Sequence, residues 1–326
     1  MKRWWTTIAI SSVVAGTVVT NAAPAHAYVA GQERLAFVRY NGTDAAVRTM
    51  AFDGSTPKAT IKKHGVTLPK FIAASYSPDG TKIVYAQVMN VSNVDLFVKT
   101  IGGRTQRLTS TPGVTETSAA WSPNGKRLAY LATDRSSYAS LVVAKADGSD
   151  PNPILTSATD YIWYPSWSPD GGLISFSTAD SGDEEIFLTT PSGNLVTQLT
   201  DNTGVNDFAG DWSPDGGRIA FVREPVMGPM ALKPFGHRLM GSRRGVGSTG
   251  TVLTMRSDGT GLVPVTTDPN AFGRVVYGPK RTLVVSRLAH LSLDLYSVPA
   301  AGGAYTRLTK TVETYNTVDL LRYLAA

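Results

Sequence analysis

The pentapeptides YSPDG (76–80), WSPNG (121–125), WSPDG (167–171) and WSPDG (212–216) recur along the chain, with their serines 45 or 46 residues apart. A period of that length means that one supersecondary unit is copied. A unit so small cannot bury its apolar face alone and has to stack on its neighbours. Each copy is followed by an alternating apolar run: KIVYA (82–86), RLAYL (127–131), LISFS (173–177) and RIAFV (218–222). A second run comes next, DLFV (95–98), SLVV (140–143) or EIFL (185–188), then a turn containing Gly102, Gly148 or Gly193. A short run closes the unit, QRLT (106–109) or TQLT (197–200). Alternation with a period of two over stretches this short is strand patterning.

The pentapeptide supplies the first turn of the unit. Proline sets φ, Asp or Asn bonds to its own local backbone, and glycine takes the left-handed conformation. Asp79, Asn124, Asp170 and Asp215 are therefore expected to serve the turn. Trp121, Trp167 and Trp212 are expected to pack between adjacent sheets. Four short antiparallel strands per repeat of about 45 residues describe the blade of a β-propeller. The W-S-P-[DN]-G element followed by an I-A-F-like strand resembles the PD40, or WD40-like, repeat of TolB-type β-propellers. That resemblance implies a six-bladed ring and an envelope role outside the cytoplasmic membrane. TolB-type proteins also carry an N-terminal α/β domain. Here only a few residues separate the leader described below from the first strand, so no such domain is expected.

Two further units complete the count. RVVYGP (274–279), TLVVS (282–286), LDLY (293–296), Gly302 with Gly303, and TRLT (306–309) form a blade whose first turn has lost its Asp-Gly. RLAFV (34–38), residues 46–52, Asp53-Gly54 and residues 58–62 give three strands with no preceding first strand. The missing strand is available in NTVDLLR (316–322), so the expectation is an all-β, six-bladed propeller of four-stranded antiparallel blades. Its ring would be closed by the C-terminal strand completing the N-terminal blade, which removes exposed sheet edges.

Lys2 and Arg3, an apolar stretch of about a dozen residues and Ala25-His26-Ala27 have the order of a Sec-type signal peptide. Residues 1–27 are read as that signal, cleaved after Ala27, and 28–326 as a single propeller domain that is secreted, monomeric and without a transmembrane span. One long insertion, residues 224–250, follows the second strand of the fifth unit and carries Lys233, His237, Arg238, Arg243 and Arg244. GVGSTG (245–250) matches G-x-G-x-x-G, but the strand-before, helix-after context of a dinucleotide site is missing.

The chain has no cysteine, which excludes disulfides, thiolate metal sites and a cysteine nucleophile. Its net charge of +6 falls when Lys2 and Arg3 leave with the signal, and its positive residues are scattered outside the insertion. Nucleic acid is therefore not the expected partner. No catalytic motif, metal site or cofactor is expected. The face opposite the S-P-D-G turns gathers the candidate ligand-binding residues at the channel mouth: Asp160, Trp163, Tyr164, Asp207, Asp211, Arg274 and His290. Glu116, Tyr161, Asn206 and Phe208 lie nearby, and the acidic run 183–185 reads as a solvated hairpin tip. The leading expectation is a non-enzymatic binding or scaffold protein for a protein, peptide or cell-envelope polymer. The alternative is a lyase or hydrolase acting on polysaccharide at the channel mouth, with His290, His237, Arg274 and Asp207 as its first candidates.

Overall fold

The computed structural model describes residues 34–40, 45–64, 71–90, 93–136, 138–157, 162–179, 183–226, 250–267, 271–289 and 292–309. Among them the fold is almost wholly β. The first sheet has three strands, β1 (Arg34–Tyr40), β2 (Ala45–Ala51) and β3 (Lys58–Lys63). Next come β4 (Phe71–Tyr76), β5 (Lys82–Asn90), β6 (Asn93–Thr100) and β7 (Thr105–Arg107), then β8 (Thr115–Trp121), β9 (Arg127–Thr133), β10 (Ala139–Lys145) and β11 (Asn152–Ser157). These eight form two antiparallel meanders joined by one parallel bridge between Val94 and Thr115.

Three four-stranded sheets follow. They are β12 (Ile162–Trp167), β13 (Ile174–Thr178), β14 (Glu185–Thr189) and β15 (Val196–Gln198); β16 (Val205–Trp212), β17 (Arg218–Pro225), β18 (Thr251–Arg256) and β19 (Val263–Pro264); and β20 (Ala271–Tyr277), β21 (Thr282–Ala289), β22 (Ser292–Pro299) and β23 (Thr306–Arg307). The first strands of the later sheets pack beside one another in chain order, from β4 on β8 through to β16 on β20, and β1 packs on β4. That radial order is the arrangement of a β-propeller with four-stranded antiparallel blades.

The turn chemistry is as the sequence predicts. Ser77 Oγ donates to Asp79 Oδ1 at 2.6 Å, the same oxygen accepts the Thr81 N–H, and Ser77 Oγ accepts the Lys82 N–H. Ser122 with Asn124, Ser168 with Asp170 and Ser213 with Asp215 repeat the pattern. In the last meander, which lacks this sequence, a short 3-10 turn at Pro279–Arg281 takes its place. There Lys280 and Arg281, not glycine, adopt φ of 53° and 57°.

The tryptophans stitch neighbouring meanders together. Trp121 Nε1 donates to Ser75 O, Trp167 Nε1 to Ala120 O, and Trp212 Nε1 to Ser166 O and Ser175 Oγ. The core is consequently a series of layers between sheets. One layer holds Ile186, Leu188, Trp212, Ile219 and Phe221, and another Val222, Val252, Val275, Leu283 and Val298. A further layer joins the first sheet to the last, with Leu35 and Met50 packed against Val284. Residues 316–322, assigned to the missing strand of the first sheet, lie outside the described residues.

Candidate functional site

The first strands of the five later meanders are each interrupted by a bulge, between Ile72 and Ala74, Thr117 and Ala120, Trp163 and Ser166, Ala209 and Asp211, and Phe272 and Val275. Bulges re-aim the side chains beside them. Ala73, Ser118 and Tyr164 occupy matching places in three of these bulges, with φ of 51°, 54° and 49°. Only at Tyr164 does the left-handed residue carry an aromatic ring. Its centroid is 6.1 Å from that of Trp163 and 6.3 Å, edge-on, from that of Phe208 in the next meander. Trp163 Nε1 donates to Glu184 Oε1 at 2.9 Å, and the Glu184 N–H donates to Asn206 Oδ1 at 3.0 Å. Trp163 and Tyr164 are half-buried, whereas Phe208 is buried.

The acids of this face are mostly buried and engaged. Asp207 is fully buried, and Arg223 grips both its oxygens, through Nε to Oδ1 at 2.7 Å and Nη2 to Oδ2 at 2.6 Å. Asn202 Nδ2 donates to the same carboxylate. Asp211 is 2% exposed and ties three first strands together, since Oδ1 accepts from Ser166 Oγ and Oδ2 from the Tyr277 N–H. Asp207 and Asp211 thus brace the scaffold beneath the aromatic cluster. The reading of 183–185 as a solvated tip is corrected. Glu185 is 0% exposed and receives the Asn202 N–H and Nδ2, and Asp183 accepts the Gly204 N–H. Burial raises the pKa of Glu185, aided by the Asp207 and Asp183 carboxylates and opposed by Thr200 and Asn202.

Of the remaining expected residues, Arg274 falls within the β20 bulge, with its side chain outside the described residues. Asp160, Tyr161, His290, Lys233, His237, Arg238, Arg243 and Arg244 lie outside them altogether. β17 ends at Pro225 and β18 begins at Thr251.

A feature not read from the sequence is a clamp between the third and fourth strands. Arg107 pairs with the buried Asp95 at 2.6 Å, and Arg307 pairs with the buried Asp294. The Thr109 and Thr309 hydroxyls accept the Leu96 and Leu295 N–H groups. Thr200 and Thr266 do the same for Ile186 and Val252. The signal was present in the repeated pairing of D-L-F with Q-R-L-T and of L-D-L-Y with T-R-L-T.

No family model matches the chain. The Tol-Pal system protein TolB of Legionella pneumophila is 36% identical over 104 residues, which is 31% of this chain and 22% of that protein. The chain thus aligns with about a fifth of the length of such relatives. Among solved structures, TolB from Acinetobacter baumannii superposes with a TM-score of 0.65 at 18% identity, over 83% of this chain and 62% of that one. A putative TolB from Agrobacterium tumefaciens gives 0.60 at 17% identity, over 78% and 84%. Oligogalacturonate lyase from Vibrio parahaemolyticus gives 0.58 at 12% identity, over 93% and 81%. By fold, the chain is a TolB-like β-propeller.

Proposed function

We propose that this chain is exported, that residues 28–326 form one closed six-bladed ring, and that the ring is a binding or scaffold protein for a protein partner in the cell envelope. The observation that carries the binding reading is the half-buried Trp163–Tyr164 pair. Its Tyr164 has a left-handed backbone, and Asp207, Asp211 and Glu185 beside it are engaged in bracing. Rigid aromatics over a polar base suit recognition of a protein loop or peptide. The packing of Leu35 and Met50 on Val284 supports closure of the ring.

Immobilised protein is tested against envelope extract, comparing the wild type with Trp163→Ala, Tyr164→Ala and a deletion of 228–248. A partner retained by the wild type and lost with the aromatic variants is expected. Retention of nothing by any form overturns the reading. The likeness in fold to oligogalacturonate lyase favours a second reading, an enzyme acting on polysaccharide. Of its candidate groups Asp207 is already taken by Arg223. Turnover of oligogalacturonides by the wild type would establish that reading instead.

A further inference from the structure

Two meanders present comparable rows, with an acid on the first strand and a hydroxyl on the third, but only one carries a cation between them. In one, Asp207 stands opposite Arg223 and Arg223 opposite Thr251. In the other, Glu116 stands opposite Ala132, Ala132 opposite Ser140, and Ser140 opposite Thr156. Directly opposed residues share one face of a sheet. Glu116 and Asp207 each lie five residues before the tryptophan of the turn motif, and Ala132 and Arg223 each lie eleven after it. Ala132 therefore stands where the guanidinium stem is rooted in the other repeat. Glu116 is only 3% exposed, and among the described residues its Oε2 has no hydrogen-bond partner. On the same row an open cavity of about 430 Å³ is lined by Ala132, Ser140 and Thr156, with Val114, Asp134 and Tyr138 completing it. Tyr138 is 46% exposed.

We propose that this cavity is a binding site for a basic side chain, arginine above lysine, inserted by the partner to supply the cation that Arg223 supplies internally in the other repeat. The alkyl stem lies along Val114, Ala132 and the Tyr138 ring. The guanidinium is drawn to the Asp134 carboxylate of the lining, with the buried Glu116 next on the same row, and meets the Ser140 and Thr156 hydroxyls, which bond each other at 3.0 Å. A planar fork reaches several acceptors at once, which an ammonium cannot do. The groups facing Glu116 are Asp95 on β6 with its partner Arg107, Tyr130 on β9, and the Thr109 and Thr111 hydroxyls. Arg107 is committed to Asp95, which leaves the cation of this row to the incoming group. The identity of the donor rests on the binding reading above, but the preference of the cavity is testable without any partner.

The full chain is titrated calorimetrically with n-butylguanidinium, n-butylammonium and neutral pentanamide at low salt. Saturable binding of n-butylguanidinium at least tenfold tighter than pentanamide is expected, with n-butylammonium between them. Ala132→Arg, whose own guanidinium fills the place, should abolish it, and Glu116→Gln should weaken it about tenfold. Ala132→Arg should also melt no lower than wild type, which separates occupancy from misfolding. Should Ala132→Arg fail to fold, Tyr138→Ala serves in its place and should weaken binding. Equal binding of the neutral probe, or binding unchanged in Ala132→Arg and Glu116→Gln, overturns the proposal. Probe binding without partner capture upholds the site and counts only against the binding reading.

Discussion

Gly54, in the turn after β2, lies so close to the backbone of Leu308, just beyond β23, that a Cβ on it would sit 2.7 Å from the Leu308 carbonyl oxygen. The two residues belong to the first and last sheets. The same closeness recurs between neighbouring sheets, at Gly148 with Leu108 O, Gly193 with Ile154 O and Gly259 with Leu199 O. Gly54 also has φ of +83°, so a side chain there faces both backbone strain and a carbonyl that cannot step aside. Gly102 has φ of +73° but, among the described residues, nothing within 4 Å. Gly102→Ala should therefore cost only the conformational share, about 1–2 kcal/mol. Gly54→Ala should cost clearly more in urea unfolding. Equal losses would mean that the first and last sheets do not press on each other in solution.

Trp212 is 2% exposed and donates to Ser166 O and Ser175 Oγ across the gap between meanders. Trp212→Ala removes most of a buried ring and should cost about 3–5 kcal/mol. Trp212→Phe keeps much of the apolar volume but strips the donor, leaving buried acceptors unpaired, and should cost about 1–3 kcal/mol. Denaturant midpoints in the same series check both, and the ranking reverses only if the ring is not packed between sheets.

Arg223 holds Asp207 bidentately, and the carboxylate is fully buried. Removing the cation strands a charge, so Arg223→Ala should lose about 3–5 kcal/mol. Pairing it with Asp207→Asn removes the stranded charge and should recover a large part of that loss. A double variant no more stable than Arg223→Ala in chemical unfolding would show that the ion pair is not what the carboxylate depends on.

The turns and the strand order were legible because they rest on local chemistry. Ser168, Asp170 and Gly171 dictate their own geometry wherever the rest of the chain goes. The buried acids were not legible in the same way. Glu185 sits in a run of three acids, and polarity alone placed it in solvent. Its burial depends on Asn202, seventeen residues on, arriving beside it. Asp207 and Asp211 stood out in the sequence as candidate ligand contacts, yet what they touch is Arg223, Ser166 and Tyr277. The difference between Ala132 and Arg223 is visible only once the register sets each opposite its acid.

Two opposed pH limbs follow from the carboxyls. Asp170 is held below the usual range by the Ser168 hydroxyl and the Gly172 N–H, and Asp215 by Ser213 and the Gly217 N–H. Their stabilisation is present above the unfolded value of 3.8 and is lost as pH falls below it. Glu116 runs the other way. Burial, joined by the Asp95 carboxylate and only partly offset by Thr111 and Thr109, pushes its pKa from 4.5 to about 7. The folded state then favours the protonated acid, so its advantage is complete below pH 4.5 and drains away as pH rises to about 7. A shift of this size corresponds to about 3 kcal/mol. Glu116→Gln keeps the neutral shape at every pH. It should leave stability near pH 4 unchanged and raise it above pH 7, by an amount bounded by that figure. Melting curves of wild type and variant across pH 4 to 8 should therefore diverge with rising pH, and parallel curves would place the Glu116 carboxyl in contact with water.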